Sequence, residues 1–123
     1  MYQIKVIRDF SGAHFLREYK GKCESLHGHN WKVEVIAESK ELDSLGMVLD
    51  FGELKKLIDK VLDDLDHKLL NELESFKDCN PSSENIAHYI YCRIKDKLSG
   101  SPVKLDQVRV WETDSSCATY KES

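Results

Sequence analysis

At 123 residues, with 41% hydrophobic and 33% charged side chains, the chain has the make-up of one small folded domain spanning 1–123, not of a disordered segment. A formal net charge of -4 disfavours nucleic acid as a partner, because phosphate binding needs clustered Lys and Arg, and no apolar run reaches the length of a membrane span. Four cysteines without a CxxC pair, behind an opening too short and too charged for a signal peptide, read as reduced thiols in a cytoplasmic protein.

Tyr2, Ile4 and Val6 alternate with polar residues and predict a first strand. Trp31, Val33, Val35 and Ala37 alternate with Lys32, Glu34 and Glu38 and predict a second. Between them a connection of about residues 10 to 30 is rich in Gly, His and charge, and connections of that length are usually functional or disordered. Asp50 and Glu53 form a capping box ahead of Leu54, Leu57, Ile58, Val61, Leu62 and Leu65, which predicts an amphipathic helix.

A second helix start is signalled at Asn80, Pro81, Ser82, Ser83 and Glu84. Ile86, Ile90, Ile94 and Leu98 follow at every fourth residue, and Ser99-Gly100 closes the helix. Val108 and Val110, alternating with Arg109 and Trp111, predict a third strand, and Ala118 and Tyr120 a short fourth. The order β-β-α-α-β-β, with hairpins at both ends, predicts an α+β fold: an antiparallel four-stranded sheet with both helices on one face.

The chemistry-bearing residues gather around the first connection. His27 and His29 stand two apart, so in extended chain both imidazoles point to one side across the side-chain-free Gly28. His14 ends the first strand and comes close to them if the two strands pair. Three histidines with an open fourth position are the pattern of a catalytic zinc site.

Cys23, four residues before His27, is either a fourth ligand that closes the site or a thiolate base beside the metal; spacing leaves both open. Asp66 and His67 put a carboxylate and an imidazole on adjacent residues at the end of the first helix. Glu112 falls on the inward face of the third strand, where a carboxylate needs donors such as the N–H groups of a guanidine-like edge. Arg17, Lys20 and Lys22 form a basic cluster in an otherwise acidic chain, suited to phosphate or to solvent.

These residues lie in blocks that resemble the 6-pyruvoyl-tetrahydropterin synthase / 6-carboxy-tetrahydropterin synthase family. The blocks are FSGAHF around His14, CESLHGHN from Cys23, GMVLDFGELK from Gly46, LDHKLLN from Leu65, NPSSENIA from Asn80 and VRVWET ending in Thr113, with Ala118 and Tyr120 beyond. Six blocks in order are highly specific. Trp31, where Tyr is common, and Ser82, where Thr is common, are the departures.

The resemblance implies a tunnelling fold that assembles as trimers whose sheets close into a barrel, two trimers stacking into a homohexamer with active sites at subunit interfaces. A chain this short buries only about two-thirds of its unfolded surface, which agrees with a shared site. Carried over position by position, His14, His27 and His29 match the zinc ligands, and Cys23 the catalytic thiol. Asp66 and His67 match its relay partners, and Glu112 the carboxylate that anchors the pterin ring.

The activity so implied is a zinc-dependent lyase reaction on 7,8-dihydroneopterin triphosphate. The compact connection between His14 and His27 favours the 6-carboxy branch, which releases triphosphate and acetaldehyde and leads to 7-deazaguanine nucleosides such as queuosine. The alternatives are the 6-pyruvoyl reaction, without side-chain cleavage, and a non-catalytic zinc- or pterin-binding module.

Overall fold

A computed structural model describes residues 1–122. Tyr2–His14 forms β1 and His27–Ser39 forms β2, paired antiparallel in unbroken register from Tyr2 opposite Ser39 to His14 opposite His27. Both strands run further at their inner ends than the apolar alternation suggests, β1 to His14 and β2 from His27. Ser11, Gly12, Gly28 and Asn30 pair through the backbone, which leaves no apolar signature. The connection is therefore residues 15–26, not 10 to 30.

Phe51–Leu62 forms α1 and Ser83–Lys97 forms α2. The side chain of Asp50 accepts from the Glu53 amide at 3.1 Å and that of Ser82 from the Asn85 amide at 3.2 Å, so both helices begin at the capping residues read from sequence. Lys68–Leu69 forms β3, Lys104–Thr113 β4 and Ser116–Tyr120 β5.

The sheet has five strands in the order β3-β1-β2-β4-β5, which corrects the expected all-antiparallel four. The extra strand, β3, runs parallel to β1, with Lys68 opposite Gly12 and Leu69 opposite Ala13. Two residues are too few to show periodicity. What holds them is the His67 amide donating to the Ser11 carbonyl at 2.6 Å, a contact between segments more than fifty residues apart.

Both helices cover one face of the sheet. Val6, Phe10, Trp31, Val33, Val35, Val108 and Val110 from the strands meet Leu54, Ile58, Val61, Ile86, Ile90 and Ile94 from the helices in one continuous core. Arg8, on the same face of β1, makes a bidentate pair to Asp59 of α1 at 2.8 and 2.9 Å. The strand period of two carries this face on into His14, His27, His29 and Glu112. The apolar rows of β1, β2 and β4 thus end in four side chains of metal-ligating type at one end of the sheet.

Candidate metal centre

His14 and His27 are direct cross-strand partners, and His29 is two residues along β2. Their ring centroids lie 4.7 to 5.4 Å apart. The floor beneath them is Trp31, fully buried, stacked on Phe10 and meeting His14 and His29 edge-on at 4.9 and 5.1 Å. Its indole N–H donates to the Gly12 carbonyl at 3.1 Å. The residue at which the sequence departs from the common Tyr is thus a well-satisfied packing element of the site.

The ring nitrogens bear on what the cluster could hold. His14 Nδ1 lies 2.7 Å from the Pro81 carbonyl and His27 Nδ1 2.7 Å from the Ser25 carbonyl. A carbonyl only accepts, so each Nδ1 carries a proton, and in the neutral imidazole each Nε2 then presents a lone pair. Those two Nε2 atoms face one another at 3.1 Å. Two lone pairs at that distance repel unless a cation lies between them, and outer carbonyls that fix the tautomer in this way are what metal-binding histidines have.

His29 Nε2 is buried and 2.9 Å from Glu112 Oε1, without the alignment of a hydrogen bond. Burial holds the His29 imidazole below its ordinary pKa against the pull of Glu112, which keeps it neutral and able to ligate. Among the described residues, the His, Cys, Asp and Glu group close enough to hold one metal ion is His14, His27, His29 and Glu112. The donor set suits zinc, and Cys23 is not part of it.

Cys23 is exposed in the 15–26 connection. Two asparagines hold that connection in place. Asn71 accepts from the Phe15 amide and donates to the Phe15 carbonyl, at 3.0 and 2.9 Å. Asn80 does the same for Arg17, at 2.8 and 3.2 Å. The Arg17 guanidinium donates to the carbonyls of Cys79 and Asn71, so it braces the loop. Glu24, which sequence reasoning passed over, accepts from the Leu16 amide at 3.2 Å and lies 3.9 Å from His27 Nδ1. Its only signal in the sequence is its place three residues before His27.

Asp66 and His67 lie four and five residues past the end of α1, not within it. His67 takes a positive φ of 58°, and the turn lets the two side chains meet, Asp66 Oδ2 to His67 Nδ1 at 2.9 Å. Asp66 Oδ1 accepts from the Ser11 amide at 2.9 Å. That bond, and then the one to His67, holds the Asp66 carboxyl below its usual pKa. His67 lines a cleft of about 510 Å³ with Ser11, Ala13, Asn30 and Lys68, and His29 also reaches it. Of the four-residue group only His29 touches this cleft, and Ser11, Ala13 and Asn30 belong to the sheet face opposite the one that carries His14 and His27.

Over residues 3–123 the chain matches the family described as 6-pyruvoyl tetrahydropterin synthase. It belongs to that family. The chain is 37% identical over 118 residues to the putative 6-carboxy-5,6,7,8-tetrahydropterin synthase of Archaeoglobus fulgidus, covering 96% of this chain and 94% of the relative. It is 43% identical over 103 residues to the dihydroneopterin monophosphate aldolase of Pyrococcus furiosus, covering 84% and 82%. Among solved structures, the 6-pyruvoyl tetrahydropterin synthase of Caenorhabditis elegans superposes with a TM-score of 0.85 at 32% identity, over 99% of this chain and 96% of that one. The tunnelling fold implied by the sequence blocks is the fold of this chain, and the family's lyase-type enzymes act on pterins.

Proposed function

We propose that this protein is a zinc-dependent 6-carboxy-5,6,7,8-tetrahydropterin synthase. It would convert 7,8-dihydroneopterin triphosphate and water to 6-carboxytetrahydropterin, triphosphate and acetaldehyde, in 7-deazaguanine (queuosine) biosynthesis in the cytoplasm. What carries this reading is the convergence of His14, His27, His29 and Glu112 on one point, with the Asp66–His67 pair held against β1. A non-catalytic zinc module has no use for that pair. Relatives named 6-carboxy-5,6,7,8-tetrahydropterin synthase in Haemophilus influenzae and Bacillus subtilis, 32% and 35% identical over nearly the whole chain, support the 6-carboxy branch.

Zinc held by His14, His27 and His29 supplies Lewis-acid polarisation of the side-chain hydroxyls. Cys23, as thiolate, takes a proton from the side-chain carbon. His67, oriented by Asp66, passes protons to and from the side-chain oxygens. Glu112 accepts from the two N–H groups on the aminopyrimidine edge of the ring. The His67 side chain is 80% exposed and Cys23 is exposed, whereas proton transfer of this kind works best with water excluded. Strands β3 and β5 also leave both edges of the sheet open. A homohexamer of two stacked trimers, covering the edges and closing the site with a second copy, answers both.

A second reading is favoured by the more identical relative, an aldolase acting on dihydroneopterin monophosphate. Mass analysis decides. Acetaldehyde and 6-carboxytetrahydropterin from the triphosphate support the 6-carboxy reaction. Triphosphate release without acetaldehyde means the 6-pyruvoyl one. Cleavage of the monophosphate alone means an aldolase, and no product from either substrate means a binding module.

A further inference from the structure

Glu112 stands closer to the histidines than a residue kept only for the pterin ring needs to. Its Oε1 is 2.9 Å from His29 Nε2, 3.3 Å from His14 Nε2 and 3.9 Å from His27 Nε2. The His14 and His27 nitrogens are 3.1 Å apart. A tetrahedral ion with donors at about 2.0–2.1 Å has donor-to-donor edges of about 3.3–3.4 Å. The four separations straddle that edge, so Oε1 sits as the apex over a base of three imidazole nitrogens.

The chemistry of the atoms says the same. A carboxylate oxygen is an acceptor, and in neutral imidazoles whose Nδ1 protons go to Pro81 and Ser25 the Nε2 atoms of His14 and His27 present lone pairs to it. Acceptors converging on one point are stable around a cation.

Glu112 is not locked into the strand ladder. The β4–β5 register pairs Trp111 with Cys117 and Thr113 with Ser116, which leaves Glu112 at an irregularity between them. Such an irregularity re-aims a side chain relative to the pleat. The Glu112 side chain is also about one-third exposed, unlike the buried His14.

We propose that Glu112 is the fourth metal ligand of the substrate-free enzyme, and that the entering pterin draws its carboxylate away to the ring. The fourth position on the metal then opens only when the ring is seated, which protects the site from solvent anions and couples recognition to activation. The proposal rests on the metal and pterin reading given above.

The test replaces zinc with cobalt(II), whose visible spectrum reports its ligands without turnover. Wild type, Glu112→Gln, Glu112→Ala and His27→Ala are titrated with cobalt(II), then with azide, then with neopterin, a pterin that has no phosphate to lose. Wild type should give the intense bands of a four-coordinate site that ignores azide and changes when neopterin is added. Glu112→Ala should bind cobalt at least about tenfold more weakly, a loss no smaller than that of an outer-shell partner, and its spectrum should respond to azide. Glu112→Gln, of near-identical shape, should move the same way, so that a folding defect in the alanine variant cannot decide the matter. Equal affinity and equal spectra in wild type and both Glu112 variants would overturn the proposal while leaving the histidine site standing. Cobalt binding unchanged in His27→Ala would overturn the histidine site itself, and this proposal with it.

Discussion

Across the β1–β2 pair, His14 and His27 point their Nε2 atoms at each other from 3.1 Å while their Nδ1 atoms are each tied to a main-chain carbonyl. The register that makes them partners also places His29 beside them, and the β2–β4 pairing sets the end of β4, with Glu112, beside His29. The site is thus built by strand pairing, and its carbonyl partners come from the loops that flank the strands.

The first expectation concerns the metal. His27→Ala and His29→Ala each remove one of three neutral donors, and bound zinc should fall from about one per subunit to a small fraction of that. Elemental analysis of the purified variants checks this. Full zinc content in both would mean that the cluster is a packing feature.

Cys23 lies outside the metal group, so Cys23→Ala should keep its zinc and its assembly and lose turnover. Acid–base help from one side chain is typically worth about a hundred- to ten-thousandfold in rate, and a fall of at least that order is expected. Zinc content measured on the same sample separates the two roles of the thiol. A variant that is both inactive and metal-free would make Cys23 a ligand.

Asp66 carries a pH signature. The Ser11 amide, and after it His67, hold its carboxyl below the unfolded value, so the carboxylate contributes stability at pH values above that unfolded value, about 3.9. The contribution is lost as pH falls through the lower folded value. Asp66→Asn should therefore be less stable than wild type near neutral pH, and the two melting curves should converge as pH drops below the unfolded value. A gap that stays constant between pH 7 and pH 3 would show that the charge of Asp66 is not what the Ser11 amide reads.

Assembly follows from the open edges and the exposed relay residues. Sedimentation should give a mass near six subunits, and dilution that dissociates the hexamer should abolish turnover. A stable, fully active monomer would place the whole reaction within one chain.

The elements whose own residues carry a periodic pattern were legible in the sequence: β1, β2 and β4 by alternation, and α1 and α2 by their apolar spacing and their capping residues Asp50 and Ser82. The pairing of His14 with the two later histidines was legible too, because a strand's period of two puts every second residue on one face and Gly28 leaves room between His27 and His29. What the sequence by itself determined is therefore the local pattern and the three histidines that come together at the end of the sheet.

Tertiary structure decided the rest, because the deciding contacts join residues far apart in the chain and leave no local pattern. β3 exists through the Ser11–His67 backbone bond. The tautomer of His14 is set by the Pro81 carbonyl, sixty-seven residues away. Asp66 and His67 meet because α1 stops at Leu62 and the turn allows His67 a positive φ, where helix geometry would have driven them apart. Arg17 turns from a candidate phosphate ligand into a brace once Asn71 and Cys79 lie beneath it. Glu112 lies on the histidine face by the period of two, and what tertiary structure adds is the β2–β4 pairing that sets that end of β4 beside His29.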